Sequence, residues 1–183
     1  MEKKITAPLT KEIIKDLKAG DSVLLSGVIY TARDAAHERM TRNFKNGEPF
    51  PIELNNQVIY YAGPCPAKPG EVIGSCGPTT AGRMDAYTPI LLDNGLGAMI
   101  GKGARNPEVV EAMKRNTVVY FGAIGGAGAL IAESIKKAEV IAYDDLGTEA
   151  IRRLEVEDLP LVVLIDCKGN DLYEMGQAQY REI

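Results

Sequence analysis

The sequence predicts an α/β protein: a single domain over residues 1–183 with a mixed, largely parallel sheet. A chain of 183 residues has the usual length of one domain. Its second half alternates short apolar runs with helical patterns, which is typical of strands joined by helical crossovers. Apolar residues make up 45% of the chain and charged residues 25%, so it can form a core and disorder is not expected.

The first elements are a short helix, a strand and a longer helix. Thr10 is a suitable N-cap for a helix over 11–18, whose isoleucines and leucine share one face. Gly20 ends that helix, and an apolar strand is predicted over 22–30. The segment TARDAAHERMTRNFKNG then has helical spacing of its apolar residues, and Gly47 ends it.

The middle of the chain is rich in proline and glycine. The stretch GPCPAKPG, residues 63–70, is predicted to be a rigid loop between two strands. Further on, Pro89 breaks a helix and begins another at its first turn, which Asn94-Gly95 ends. The predicted elements here are strands over 57–62 and 71–74, a helix from Thr80 or Ala81, and a helix with Thr88 as its N-cap.

The second half supplies the alternation of strands and helices. Asn106 and Pro107 have the N-cap and first-turn chemistry of a helix start. The predicted strands cover 98–100, 117–121, 139–143 and 161–166, and the predicted helices cover 106–115, 127–137 and 148–154.

Composition disfavours several classes of protein. A net charge of −4 without a long basic run argues against a nucleic-acid binder. One histidine and three scattered cysteines provide neither a histidine-based metal site nor a paired-cysteine one. The odd number of cysteines disfavours a secreted disulfide framework, so we expect a reducing, cytoplasmic setting. Neither a signal peptide nor a membrane span is evident from the apolar runs.

The stretch GPTTAGRMD, residues 77–85, is the strongest candidate site. It follows a predicted strand and leads into a predicted helix, where unpaired N–H groups and the helix dipole favour anions. Thr79 and Thr80 add hydroxyl donors, and the Arg83 guanidinium can bind a carboxylate through two parallel hydrogen bonds. The alternative is a threonine-capped helix with a surface arginine.

Two more cations follow other predicted strands. Arg33 lies in TARDAAH and Lys102 in IGKG. Ligands of α/β sheets gather at the carboxyl ends of the strands, so the three cations could converge on a small substrate with more than one carboxylate. His37 is expected to be structural or to hydrogen-bond the edge of the substrate, with a catalytic role as the alternative.

Two further features have plainer interpretations. The glycine-rich stretch GAIGGAGA, residues 122–129, lacks the spacing of a dinucleotide or phosphate loop, so close backbone packing is its predicted role. Cys76 adjoins the candidate site without a neighbouring thiol partner and is predicted to be a small buried residue.

The whole chain, from about Leu17 to Tyr173, resembles the β subunit of two-subunit class I fumarate hydratases and L-tartrate dehydratases. The stretches that carry this resemblance are GPTTAGRMDAYTPILLDNGLGAMIGKG, TARDAAH and DLGTEAIRRLEVEDLPLVVLIDCKGNDLY. The resemblance implies a swivelling β/β/α domain. It also implies an α-subunit partner, in an α2β2 assembly, that carries an oxygen-sensitive [4Fe-4S] cluster on three cysteines of its own.

The resemblance also assigns roles to residues. It implies that Arg33, Arg83 and Lys102 hold the dicarboxylate and that Thr79 removes a proton from C3 of malate, although Thr80 is equally placed by sequence. An acidic residue of the α subunit would protonate the departing hydroxyl, which the cluster's unique iron would bind as a Lewis acid. The expected reaction is reversible hydration of fumarate to (S)-malate. The alternatives are dehydration of L-tartrate to oxaloacetate and a non-catalytic anion-binding module.

Overall fold

A seven-stranded sheet organises the protein, as a computed structural model describes it for residues 2–123 and 127–180. The strands are β1 (Glu2–Ala7), β2 (Ser22–Thr31), β3 (Val58–Tyr60), β4 (Ala98–Gly101), β5 (Val119–Gly122), β6 (Ile135–Ala142) and β7 (Ile151–Ile165). The helices are α1 (Lys11–Lys15), α2 (Asp34–Lys45), α3 (Thr88–Asp93), α4 (Pro107–Asn116), α5 (Gly128–Glu133) and α6 (Leu172–Tyr180), with 3₁₀ turns at Ala81–Met84 and Asp144–Glu149.

The sheet is mixed and mostly parallel. Its order is β1-β2-β3-β4-β5-β7-β6, and β1 through β5 run parallel to one another. Strand β7 runs antiparallel to β5 and β6 and also pairs with β2, so β2, β3, β4, β5 and β7 form a closed circuit of pairings. Thr31, Tyr60, Ile100 and Phe121 form one row of register partners. The carboxyl ends of β2, β3 and β4 therefore meet at one edge.

The sheet separates two hydrophobic cores. Successive residues of a strand face opposite sides, so Val58 and Tyr60 enter one core while Ile59 enters the other. The second core also contains Met40 of α2, and Leu91 and Val109 represent α3 and α4 there. Every residue of β3, β4 and β5 is buried, as expected for parallel strands covered on both faces.

Several sequence-based boundaries are confirmed by the structure. The Thr10 side chain accepts from the Ile13 N–H, and the Asn106 side chain accepts from the Val109 N–H, so both predicted N-caps form. Helix α2 ends just before Gly47, whose φ of +86° is a conformation that glycine adopts without strain.

Other predictions were wrong, mainly where long-range pairing overrides local preference. The predicted helix over 127–137 ends at Glu133, and the predicted helix over 148–154 gives way to β7 at Ile151. Both segments contain good helix formers, but pairing with β2, β6 and β7 determines their structure. The segment 71–74 contains bends rather than a strand. Strand β1 and helix α6 were not predicted.

The glycine-rich stretch 122–129 lies partly outside the described residues, because 124–126 fall in the gap. Of its described part, Gly128 packs against the loop that precedes the candidate site. A Cβ on Gly128 would lie 3.0 Å from the Gly77 nitrogen, and the Cys76 N–H donates to the Gly128 carbonyl at 3.1 Å. Cys76 is buried, as predicted. Among the described helices, none is long and apolar enough to cross a membrane.

Candidate functional site

The segment from Thr79 to Ala81 lies between the ends of two parallel strands. The Thr79 N–H donates to the Tyr61 carbonyl at 2.7 Å, just past β3. The Lys102 N–H donates to the Thr79 carbonyl at 3.3 Å, and the Ala81 N–H returns a hydrogen bond of 2.9 Å to the Lys102 carbonyl. Thr80 and Lys102 thus form an isolated parallel bridge just past β4. The two candidate segments are backbone neighbours.

Arg33 and Arg83 meet at a shared carboxylate, Asp34. Oδ1 of Asp34 lies 2.8 Å from Arg83 Nε, and Oδ2 lies 3.6 Å from an Nη atom of Arg33. Arg33 also lies 3.5 Å from a carboxylate oxygen of Glu149. A Cβ at Gly63 would come within 3.0 Å of the Arg33 side chain, so this glycine lets the loop pass close to the guanidinium.

The two threonines differ in exposure. Thr79 is half-buried and Thr80 is exposed, and neither hydroxyl forms a hydrogen bond within residues 2–123 and 127–180. Neither threonine side chain therefore caps the turn that follows, so the alternative of a threonine-capped helix is wrong. The expected helix here is a 3₁₀ turn of four residues, Ala81–Met84, so a helix dipole contributes little to anion binding.

The side chains of Lys102 and Arg83 are exposed to solvent. Lys102 is exposed and forms no ion pair within the described residues, while the Arg83 side chain is 55% exposed. A separate cavity of about 580 Å³ lies between loop residues such as Val72 and helix α5, and its walls contain none of the predicted site residues. The side chains of Lys102 and Arg83 thus lie on an open surface of this chain.

His37 lies fully buried beneath Arg33. Its Nδ1 lies 2.8 Å from the Arg33 carbonyl, so Nδ1 carries the proton and donates, and Nε2 has no hydrogen-bond partner among the described residues. The ring packs edge-on against Tyr61, with centroids 5.4 Å apart. Burial lowers the pKa of His37 from 6.5 to about 4. At neutral pH the imidazole is uncharged and supports the backbone at the start of α2.

Close packing beside β4 requires glycine at position 101. A Cβ there would lie 2.8 Å from the Tyr61 ring and 3.2 Å from the Ala81 methyl. Glycine at the last position of β4 thus lets Tyr61 and Ala81 pack closely against the strand just before Lys102.

A buried ion pair lies beneath both candidate segments. Arg105 Nε donates to Asp85 at 2.7 Å, and neither side chain is more than 10% exposed. Neither this pair nor Asp34 was predicted from the sequence. Asp34 could have been noticed because it directly follows Arg33, whereas Asp85 and Arg105 lie 20 residues apart without a shared pattern.

The cysteines and acidic residues of this chain do not fit an iron–sulfur cluster. Cys65 is exposed, Cys76 is buried and Cys167 is partly buried, and all three are free thiols. Burial raises the pKa of Cys76 to about 12, which disfavours the thiolate that a metal needs. Within the part of the chain that the structure describes, no group of three or more His, Cys, Asp or Glu side chains could hold a metal ion.

By fold and site, the chain is an α/β domain in which two arginines share a carboxylate near the ends of the parallel strands. A lysine loop pairs there with two threonines whose hydroxyls make no hydrogen bond among the described residues. Its sequence matches the family model described as Fumarase C-terminus over residues 2–176. The chain therefore belongs to the fumarase C-terminal family.

Named relatives fall into two groups by length. Fumarate hydratase 2 of Leishmania major is 41% identical over 92% of this chain and 30% of the relative. The aerobic class I fumarate hydratase of Escherichia coli K12 is 42% identical over 91% of this chain and 31% of the relative. A protein named as a putative L(+)-tartrate dehydratase subunit beta, from Methanocaldococcus jannaschii, is 41% identical over 91% of this chain and 88% of its own length. The chain thus spans about a third of the length of those fumarate hydratases.

Proposed function

We propose that this chain is the β subunit of a hydro-lyase that reversibly hydrates fumarate to (S)-malate. The observation that carries the proposal is that Arg33 and Arg83 share Asp34, while Lys102 pairs through its backbone with the segment from Thr79 to Ala81, past the ends of adjacent parallel strands. Asp34 and Glu149 offset two of these three positive charges, so binding of a dicarboxylate rests on the hydrogen-bonding groups of Arg83 and Lys102 as well as on charge. The relatives named fumarate hydratase support the choice of substrate.

In this proposal, the arginines and the lysine bind the two carboxylates of the substrate. Asp34 contacts Arg83 at Nε, which leaves both Nη groups to bind a carboxylate in a bidentate manner. Lys102 is exposed and has no internal ion pair among the described residues, so it can bind the second carboxylate. Arg33 is more buried, and its contacts with Asp34 and Glu149 hold its guanidinium in place beside the proposed dicarboxylate.

Thr79 is the proposed base that takes the proton from C3 of malate. Thr79 is half-buried and its hydroxyl makes no internal hydrogen bond among the described residues, so the proposal takes it as available to the substrate. A threonine hydroxyl ordinarily ionises far above neutral pH, so the neighbouring cations and exclusion of water must stabilise the alkoxide. The open surface around Arg83 and Lys102 would need a second body to exclude water.

We assign that second body to an α subunit that carries a [4Fe-4S] cluster, in an α2β2 assembly. The cysteines of this chain do not fit the cluster, and the chain covers 88% of a relative that is itself named as a subunit. When bound in the partner, the cluster supplies Lewis-acid chemistry for the departing hydroxyl. Three free thiols in one chain suit a reducing compartment such as the cytoplasm.

Dehydration of L-tartrate to oxaloacetate is the second candidate. The relative named as a tartrate dehydratase subunit supports it, because this chain covers nearly all of that relative. Fumarate, malate and tartrate are all four-carbon dicarboxylates, so the same three cations could bind each of them.

The test is co-expression of this chain with a cluster-bearing α subunit and anaerobic reconstitution of the complex. We expect the complex to hydrate fumarate faster than it dehydrates L-tartrate, and we expect the chain alone to be inactive. Faster turnover of tartrate would select the second candidate. A complex with an intact cluster that binds dicarboxylates but turns over neither substrate would indicate a non-catalytic anion-binding module.

A further inference from the structure

Arg105 is a buried cation that none of the proposed catalytic steps uses. Its side chain is fully inaccessible to solvent. Besides the ion pair with Asp85, Nη2 donates to the Thr88 hydroxyl at 2.9 Å, and both Nη atoms lie 3.3 Å from the Tyr61 hydroxyl. The guanidinium also lies 5.3 Å and 5.0 Å from the ring centres of Tyr61 and Tyr120. These hydrogen bonds and ring contacts fix the orientation of the Arg105 guanidinium.

The ion pair joins the two segments that carry the candidate site. Asp85 immediately follows the 3₁₀ turn that contains Arg83, and Arg105 lies three residues after Lys102. The second Asp85 oxygen accepts from the Asn106 N–H at 2.8 Å, so Asp85 holds both the side chain and the backbone at the end of the Lys102 loop.

Thr88 extends this connection to the turn itself. Its hydroxyl donates to the Met84 carbonyl at 2.9 Å while it accepts from Arg105. Thr88 was predicted as an N-cap, but α3 already begins at Thr88 and its hydroxyl serves this network instead. One network of charged and hydroxyl groups therefore connects the Arg83 turn to the Lys102 loop from below. The backbone bridge between Thr80 and Lys102 connects them at the surface.

A buried ion pair is weak evidence for stability, because apolar residues of similar volume often stabilise a core equally well. Such a pair provides geometric specificity, because its hydrogen bonds form only in one arrangement of the two segments. If an arginine and a lysine bind opposite ends of one small substrate, its affinity depends on the distance between the two side chains.

We propose that Arg105 and Asp85 are positioning residues that set the separation of Arg83 from Lys102, and hence the selectivity of the site for dicarboxylates over monocarboxylates. The selectivity part of this inference rests on the function proposed above. The coupling of the two segments does not rest on it, because it concerns only this chain.

The test variant is Asp85→Asn with Arg105→Gln, which removes both charges and keeps groups that can hydrogen-bond. The matched control is Asp93→Asn with Arg115→Gln. That pair is hydrogen-bonded through two arginine nitrogens, at 2.9 Å and 2.8 Å, and it lies on the surface between α3 and α4. Because the buried variant could fail to fold, Thr88→Val serves as a milder second variant that removes one hydrogen bond to Arg105.

The first measurement is amide hydrogen exchange of the full chain. We expect exchange in 79–84 and 102–104 to accelerate together by about tenfold in the buried variant, while β4 and β5 exchange as in the wild type. Thr88→Val should accelerate the same two segments less, and the surface control should leave them unchanged. Exchange that is unaltered in both segments, or altered in only one of them, would overturn the coupling.

The second measurement uses inhibitors of the assembled enzyme. Succinate has both carboxylates, whereas butyrate has one, and neither can react. We expect the succinate inhibition constant to rise by about tenfold or more in the buried variant, with butyrate little changed. An equal loss of both inhibitors would mean that the pair only stabilises the core. If the wild-type complex binds no dicarboxylate, the proposed function fails and the selectivity role fails with it, while hydrogen exchange still decides the coupling.

Discussion

Acidification from about pH 7.5 to about pH 5 should destabilise this chain by about 2 kcal/mol through one side chain, His37. Its imidazole is fully buried, and desolvation lowers its pKa from 6.5 to about 4. The hydrogen bond to the Arg33 carbonyl and the Asp34 charge oppose this shift, and the Arg105 charge adds to it. In the unfolded chain the imidazole is hydrated and titrates near 6.5.

The direction of the effect follows from proton binding. Well above pH 6.5 the imidazole is unprotonated in both the folded and the unfolded chain, so His37 does not reduce the free energy of unfolding. Between pH 6.5 and about 4 the unfolded chain binds one proton more than the folded chain, so the free energy of unfolding falls as the pH falls. The difference between the two pKa values corresponds to about 3 kcal/mol in all, and about 2 kcal/mol of it is lost by about pH 5.

The assay is urea unfolding of the full chain across this range of pH, for the wild type and for His37→Asn. Asparagine keeps a donor near the position of Nδ1 but does not titrate. His37 is the only histidine, so no other imidazole contributes. Carboxyls such as Asp93, whose pKa the Arg115 hydrogen bond lowers, also lose stabilisation in acid, but they do so equally in both proteins.

The difference between wild type and variant should therefore shrink by about 2 kcal/mol from about pH 7.5 to about pH 5. A constant difference would show that His37 does not titrate differently in the folded and unfolded chain. So would an NMR titration of the folded chain that gives the imidazole a pKa near 6.5, because it would show that the ring is hydrated rather than buried.

The remaining predictions concern the candidate site. In the assembled enzyme, Arg83→Lys keeps the charge but loses the bidentate geometry, so kcat/KM should fall by about 30- to 150-fold, equivalent to about 2–3 kcal/mol; unchanged kinetics would mean that Arg83 is an ordinary surface residue. Thr79→Ala should lower kcat by about 10²- to 10⁴-fold with little change in melting temperature, whereas Thr79→Ser should keep much of the activity; exchange of the malate C3 proton at the wild-type rate in Thr79→Ala would show that the base lies elsewhere. Asp34→Asn should raise KM by about fivefold with kcat nearly unchanged, because Arg83 loses the partner of its Nε; a lower KM would show instead that Asp34 competes with the substrate. Gly101→Ala should destabilise the chain by about 1–3 kcal/mol in urea unfolding, because its methyl group would lie 2.8 Å from the Tyr61 ring; wild-type stability would show that the ring can move aside.

The sequence alone predicts four of the five parallel strands, β2 to β5, and the position of the candidate residues along the chain. Short apolar runs marked β3, β4 and β5 because strands covered on both faces must be apolar throughout. Helix starts at Thr10 and Asn106 were predictable because a cap is a contact between residues three positions apart. The positions of Arg33 and Lys102 just after strands were predictable as well, because each residue directly follows an apolar run in the sequence.

Which of these residues meet, and through which partners, depends on tertiary packing. The first residues of strand β7 favour a helix, yet the strand is extended. Strand β2 pairs with one edge of β7, and β5 and β6 pair with the other edge. The contact of Asp34 with Arg83 joins residues 49 positions apart, and Arg105 meets Asp85 from 20 positions away. Local patterns contain no information on such contacts, because they depend on the packing of elements that are distant in sequence. The arrangement of the candidate site is therefore a property of the folded sheet and of the buried charges beneath it.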